Sequence, residues 1–241
     1  MINLPTIQIL IHIKETLAQY YAKVKGKNYD LLQILDIGLD FRTCCPICGG
    51  KNCARFIEYY TRGVIDENGT YYKDFPIARY LCERRGGQSE VSHKTFSLLP
   101  YQLVPYTKHS VPFIIKMLEL KHIEGLSISK LQDYVANFGE DKILPISSDQ
   151  LSDFKQLIHD AINKIMTTEH YLEVREKISL MGSEQERLIT FLEFAQGFEC
   201  FKIDPQIRGP CGLPYDFYLN EGGYCRNAPF LFGTPSQFRK I

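Results

Sequence analysis

Two cysteines, Cys45 and Cys48, have the spacing in this chain that most directly predicts chemistry. Two thiolates with two residues between them can hold one metal ion, and Gly49-Gly50 behind them allows the tight turn that directs backbone N–H groups at the sulfurs. A single pair of this kind is weak evidence, so the residues downstream decide whether it belongs to a metal site.

The downstream residues predict a β-hairpin. Residues 55–62 are rich in aromatic and β-branched side chains, and Asp66-Glu67-Asn68-Gly69 contains Asn-Gly, the strongest short hairpin signal. A second strand follows over residues 70–81, with Pro76 marking an edge or a bulge, and it ends at Cys82. Two close cysteines, a hairpin and another cysteine form the layout of a zinc ribbon.

The sequence offers more than one candidate for the fourth metal ligand. His93 is a soft ligand beyond Cys82, Cys53 is its rival, and Cys44 replaces Cys45 if the register slips. The preferred set predicts one structural Zn²⁺ without an open position for water, because four protein ligands fill a tetrahedral site. That set is Cys45, Cys48, Cys82 and His93.

Several runs in this region match a known pattern: Cys45-Pro-Ile-Cys48, Tyr60-Thr-Arg62, Ile77-Ala-Arg79-Tyr-Leu-Cys82, His93-Lys-Thr-Phe-Ser-Leu-Leu-Pro100 and Leu103-Val-Pro105-Tyr106. Residues 45–120, about a third of the chain, resemble the zinc-ribbon region of transposase-like proteins of bacterial insertion sequences. The chain departs from that pattern at Ser92-His93, where the family carries a cysteine knuckle. The resemblance implies a ribbon followed by a helix-turn-helix, and an assembly that binds DNA.

Helical periodicity dominates after residue 105. Ser110 is a candidate N-cap for one helix, and Ser127 or Ser129 for the next. With the apolar spacing, these caps predict helices over 110–122, 127–139 and 149–166, and further helices follow over 168–197. A helix-turn-helix arrangement makes the third helix the reader, with Gln150 at base edges and Lys155 at phosphate. A plain helical bundle that packs on the ribbon is the alternative.

The remaining candidates for contact with nucleic acid are basic and lie in the ribbon, where tyrosines interleave with them. They are Arg62, Arg79, Arg84, Arg85 and Lys94.

Length, charge and cysteine content narrow the classes of protein to which the chain can belong. The chain has 241 residues, with 28 basic and 28 acidic side chains, so a polybasic nucleic-acid binder is excluded. Residues 1–110 hold 14 basic and 10 acidic side chains, so a polyanion should prefer that half. The lack of an apolar run of membrane length predicts no membrane partner, and the eight cysteines are expected to be thiols or metal ligands in the reducing cytoplasm.

These observations predict an α+β fold in which a small β-rich zinc ribbon precedes a mainly helical domain. The expected parts are an N-terminal helix and linker over 1–41, the ribbon over 42–104, the helical domain over 105–197 and a C-terminal segment over 198–241. The N-terminal helix is inferred from apolar residues that include Ile7, Leu10 and Ile11. No role is assigned to Cys200, Cys211 and Cys225 in the last segment.

The expected function is that of a non-catalytic, zinc-stabilised protein that binds double-stranded DNA and is related to mobile elements. The alternative is a zinc-ribbon module that binds another protein. An enzyme is not expected, because the helical second half provides no strands that could bring the three carboxylates of a transposase to one metal site.

Overall fold

A computed structural model of the protein describes residues 7–11, 13–37, 40–42, 45, 48, 50–83, 95–104, 107–137, 146–167, 172–196, 219–220 and 223–224. In chain order its elements are β1 (Ile7–Ile11), α1 (Leu17–Val24), α2 (Leu31–Ile34), β2 (Ala54–Ile65), β3 (Tyr71–Cys82), β4 (Thr95–Pro100), α3 (Val111–His122), α4 (Ile128–Ala136), α5 (Ser148–Thr167), α6 (Leu172–Ser179), α7 (Glu184–Gln196), β5 (Leu219–Asn220) and β6 (Gly223–Tyr224). The fold is therefore a mixture of α and β elements, as expected.

The apolar start of the chain is a strand, and the expectation of a helix there is wrong. β1 pairs in parallel with β4, and its three isoleucines are β-branched residues whose restricted side chains suit a strand. The helix begins only at Leu17, where a capping box sets its start. The Thr16 hydroxyl accepts a hydrogen bond from the Gln19 backbone N–H, and the Gln19 side chain accepts one from the Thr16 N–H, at 3.2 and 3.0 Å.

The predicted hairpin is confirmed as β2 and β3, the second half of a four-stranded mixed sheet in the order β1-β4-β3-β2. Its turn depends on Asp66, which is 1% exposed and accepts hydrogen bonds from the backbone N–H groups of Asn68 and Thr70 at 2.9 and 2.8 Å. Gly69 follows at φ 78°, a left-handed conformation that favours glycine.

The described residues divide into two units. The first holds the chain up to Arg62, the stretch Lys73–Tyr101 and the short β5–β6 pair, and the second holds the hairpin tip, Gly63–Tyr72, with helices α3 to α7. In the first unit, an aromatic cluster forms on one face of the sheet. Tyr80 stacks on its register partner Phe96 at 5.2 Å between ring centroids, and Phe41 meets both rings edge-on.

The second unit is built around α3, which has nine of its twelve residues buried. A helix that is apolar on most sides must be covered by others, and α4, α5 and α7 pack on it. The predicted caps are present, since Ser110 Oγ accepts from the Phe113 N–H and Ser127 Oγ accepts from the Lys130 N–H. Gly125, between the two helices, has φ 70°.

Candidate metal centre

The base of the β2–β3 hairpin positions two cysteines, one just before the first strand and one at the end of the second. Cys53 directly precedes β2 and Cys82 is the last residue of β3. The Glu83 N–H donates to the Cys53 carbonyl at 2.7 Å, while at the other end of the hairpin the Asp66 N–H donates to the Thr70 carbonyl at 3.1 Å. Cys53 lies as many residues before Asp66 as Glu83 lies after Thr70, so the two strands of the hairpin have equal length. The turn therefore sets the register that places Cys53 beside Glu83, next to Cys82 at the end of β3.

The segment before the hairpin supplies the other two cysteines. The Cys45 N–H donates to the Gly50 carbonyl at 2.8 Å, and the Gly50 N–H points at the Cys48 sulfur at 3.4 Å. Asn52 then has φ 52°, a left-handed conformation that asparagine tolerates. This is the turn geometry expected of a metal-binding knuckle, in which a backbone donor faces a thiolate.

The four sulfurs converge. The Sγ atoms of Cys45, Cys48, Cys53 and Cys82 all lie within 4.8 Å of one another. Cys48 Sγ is 3.3 Å from Cys53 Sγ and 3.5 Å from Cys82 Sγ. Four sulfurs around one zinc ion at about 2.3 Å would lie about 3.8 Å apart, whereas a disulfide would need about 2.05 Å. The spacing matches a shared ion, and the four cysteines are free thiols.

Three of the four cysteines are buried from solvent. Cys45, Cys53 and Cys82 are 1%, 3% and 0% exposed, and Cys48 is half-buried. Burial alone would raise the pKa of the Cys48 thiol, but hydrogen bonds to its sulfur from Cys53, from the Gly50 N–H and from the other two thiols outweigh burial and lower it. Burial, followed by the hydrogen bond to Cys48, raises the pKa of the Cys53 thiol to about 11.

The opposite shifts mean that, without a cation, the Cys48 thiol ionises more readily than the Cys53 thiol. A bound cation changes this, because a thiol that coordinates a metal ion is deprotonated outright. The cluster can therefore hold a metal ion of the kind that prefers sulfur. All four sulfurs would face that ion, which leaves no protein-provided opening for a catalytic water.

Among the predicted ligands, Cys45, Cys48 and Cys82 lie together, and Cys53, the rival for the fourth position, lies with them. His93 and Cys44 are outside the described residues. One signal in the sequence favours Cys53. The number of residues from Cys53 to Asp66, where the turn begins, equals the number from Thr70, where it ends, to Glu83. Antiparallel pairing then brings it to the strand end that carries Cys82.

Two of the predicted basic candidates in the ribbon, Arg79 and Arg62, are described, and both interact within the protein. Arg79 Nη1 lies 2.9 Å from Glu58 Oε1, and the guanidinium carbon lies 4.6 Å from the centre of the Tyr60 ring. Arg62 is half-buried, and burial lowers the pKa of its guanidinium. These two side chains are thus held against the ribbon. Arg84, Arg85 and Lys94 lie outside the described residues.

The two candidates on α5 are also engaged. Gln150 takes part in a capping box, because its Oε1 accepts from the Ser147 N–H and its own N–H donates to Ser147 Oγ, both at 3.1 Å. Lys155 Nζ lies 3.4 Å from Glu184 Oε1 on α7. Structural roles thus account for both contacts, and the assignment of α5 as a reader of DNA stays a prediction.

Within the described residues, no helix is both long and apolar enough to cross a membrane. Comparisons with protein-family models, with curated proteins and with solved structures found no match to this chain.

Proposed function

We propose that the four cysteines hold one structural zinc ion. The observation that carries this proposal is the convergence of four Sγ atoms within 4.8 Å at the base of a hairpin. Tetrahedral sulfur sites take zinc or iron, and zinc is the usual ion of a closed four-cysteine site in a small β-rich module. The ion ties the Cys45–Cys48 knuckle to the ends of β2 and β3, and its role is to stabilise that junction.

Elemental analysis of purified protein tests the proposal, with one zinc and no iron per chain as the expected result. Adjacent cysteines offer a matched pair of variants. Cys45→Ser should lose the ion and Cys44→Ser should retain it, because only Cys45 is part of the described cluster. Zinc retained by Cys45→Ser, or lost equally by both variants, would contradict this ligand set.

The fourth ligand has its own pair of variants. Cys53→Ser should weaken zinc binding by more than the roughly 10- to 100-fold that loss of an outer-shell partner costs, whereas His93→Gln should change it little. Competition with a chromogenic zinc chelator measures both affinities. The reverse pattern would restore the three-cysteine, one-histidine site.

We further propose that the protein is non-catalytic and binds double-stranded DNA through the ribbon. The support is positional: Arg84 and Arg85 follow Cys82 after one residue, so the metal centre anchors the start of a basic segment. Arginine side chains suit contact with phosphate oxygens. The closed ligand set supports a structural ion rather than a reactive one.

Fluorescence anisotropy with a labelled random duplex, on zinc-loaded protein, tests DNA binding. Replacing Arg84 and Arg85 with alanine should reduce the slope of log affinity against log salt by about 1.8, for two lost phosphate contacts. The matched control is Lys14→Ala with Lys27→Ala, which removes two charges from exposed positions elsewhere. Equal effects of both double variants would show that only total charge matters.

A protein partner is the second candidate, and the charge balance of the described ribbon favours it. Residues 50–83 hold five basic and five acidic side chains. Two of the five basic ones are neutralised locally, since Arg55 lies 2.8 Å from Glu83 and Arg79 lies 2.9 Å from Glu58. Absence of duplex binding even at low salt would favour this candidate over DNA.

A further inference from the structure

Cys48 differs from the other three cysteines of the metal centre in its exposure. Cys45, Cys53 and Cys82 are at most 3% exposed, so their sulfurs are closed to molecules in solution. Cys48 is half-buried and lies outside the strands that carry or adjoin Cys53 and Cys82. Among the four cysteines, Cys48 is therefore the residue that a reagent from solvent meets first.

Two thiols lie close enough to the Cys48 sulfur to pair with it. Cys53 Sγ is 3.3 Å from Cys48 Sγ, and Cys82 Sγ is 3.5 Å away. A disulfide requires about 2.05 Å, so either pair needs a shift of little more than an ångström. Cys53 is the nearer of the two, and it lies just before β2 in the segment that follows the knuckle, whereas Cys82 is the last residue of β3.

We propose that Cys48 is an oxidation site through which peroxide releases the metal ion, with Cys53 as the resolving thiol. This proposal rests on the proposed zinc centre and adds its regulation. It assigns a chemical class of reagent, a small peroxide, to the one cysteine of the four that is not fully buried.

The chemistry proceeds in two balanced steps. The Cys48 thiolate attacks one oxygen of hydrogen peroxide, the O–O bond breaks, an S–O bond forms, and hydroxide leaves. The Cys53 thiolate then attacks the sulfenic sulfur, the S–S bond forms, and a second hydroxide leaves. Two thiolates lose two electrons and the peroxide gains them. Only two thiolates then remain for the ion, and it dissociates.

Zinc content is measured first, on protein purified without oxidant, so that failure of the centre itself is seen separately. Hydrogen peroxide is then added while a chromogenic chelator reports free zinc, and peptides are mapped by mass spectrometry. The expected result is release of the bound zinc together with a Cys48–Cys53 disulfide, both reversed by dithiothreitol and added zinc.

Alkylation of zinc-loaded protein gives a second readout that needs no variant. N-ethylmaleimide should modify Cys48 about tenfold faster than any of the other three cysteines of the centre, because reactivity follows access to the sulfur. Zinc retained under peroxide, a disulfide that excludes Cys48, or equal alkylation of the four sulfurs would overturn the oxidation site while leaving the zinc centre standing. A chain without zinc would overturn both proposals.

Discussion

His109 makes the stability of the helical unit depend on pH. Its side chain is 6% exposed, its ring stacks on Phe113 at 5.5 Å between centroids, and Phe154 meets it edge-on at 4.9 Å. Burial, followed by the nearby charge of Lys108, lowers the pKa of the imidazole to about 4. The folded protein therefore holds His109 neutral at a pH where the unfolded chain protonates it.

The direction and size of the effect follow from proton linkage. In the unfolded chain the pKa of histidine is about 6.5, so between pH 6.5 and 4 the unfolded state binds more protons and stability falls as the pH falls. The difference between about 6.5 and the folded value of about 4 amounts to about 3 kcal/mol of unfolding free energy lost between pH 7.5 and pH 4.

Urea unfolding, followed by circular dichroism at a series of pH values, measures this loss. The comparison is with His109→Phe, which keeps an aromatic ring between Phe113 and Phe154 but cannot titrate. The difference in unfolding free energy between the two proteins is the quantity to follow, because acid release of a thiolate-bound metal affects both alike. The wild type should lose about 3 kcal/mol relative to the variant. Parallel pH profiles would refute the assignment of a buried neutral imidazole.

Three further substitutions test the core and the caps. Tyr20→Phe should stabilise the protein by about 1 kcal/mol in thermal or urea unfolding, because the Tyr20 hydroxyl is buried without a hydrogen-bond partner among the described residues. Tyr80→Phe should instead destabilise it by about 1–3 kcal/mol, because the Tyr80 hydroxyl donates to the Asp30 carboxylate; the same sign for both variants would contradict this difference. Ser110→Ala should cost about 1 kcal/mol, through loss of the cap on the Phe113 N–H, and an unchanged unfolding midpoint would argue against that cap.

Local signals predicted the elements whose formation is local. Asn68-Gly69 predicted the hairpin and Ser110 the start of α3, because turns and caps depend on a few adjacent residues. Ser127, one of two candidates with Ser129, is the cap of α4. β1 was misassigned because Ile7, Leu10 and Ile11 also satisfy helical spacing. What makes the segment a strand is pairing with β4, more than 80 residues away in the chain, and no local pattern contains that partner.

The ligands of the metal centre also divide into those that local patterns predict and one that depends on strand pairing. The spacing of Cys45 and Cys48 and the hairpin before Cys82 identified three ligand candidates from short-range patterns. The choice between Cys53 and His93 depends on strand register, which brings the start of β2 beside the end of β3. Counting residues outward from the Asp66–Thr70 turn along both strands favours Cys53 as the fourth ligand. Searching only the residues after Cys82 for a ligand favours His93.

Zinc K-edge X-ray absorption on the purified protein tests the central claim most directly. Four sulfur neighbours at about 2.3 Å are expected, from Cys45, Cys48, Cys53 and Cys82. Three sulfurs with one nitrogen at about 2.0–2.1 Å would contradict the four-cysteine centre and indicate a histidine ligand. Protein free of zinc would contradict the metal centre itself.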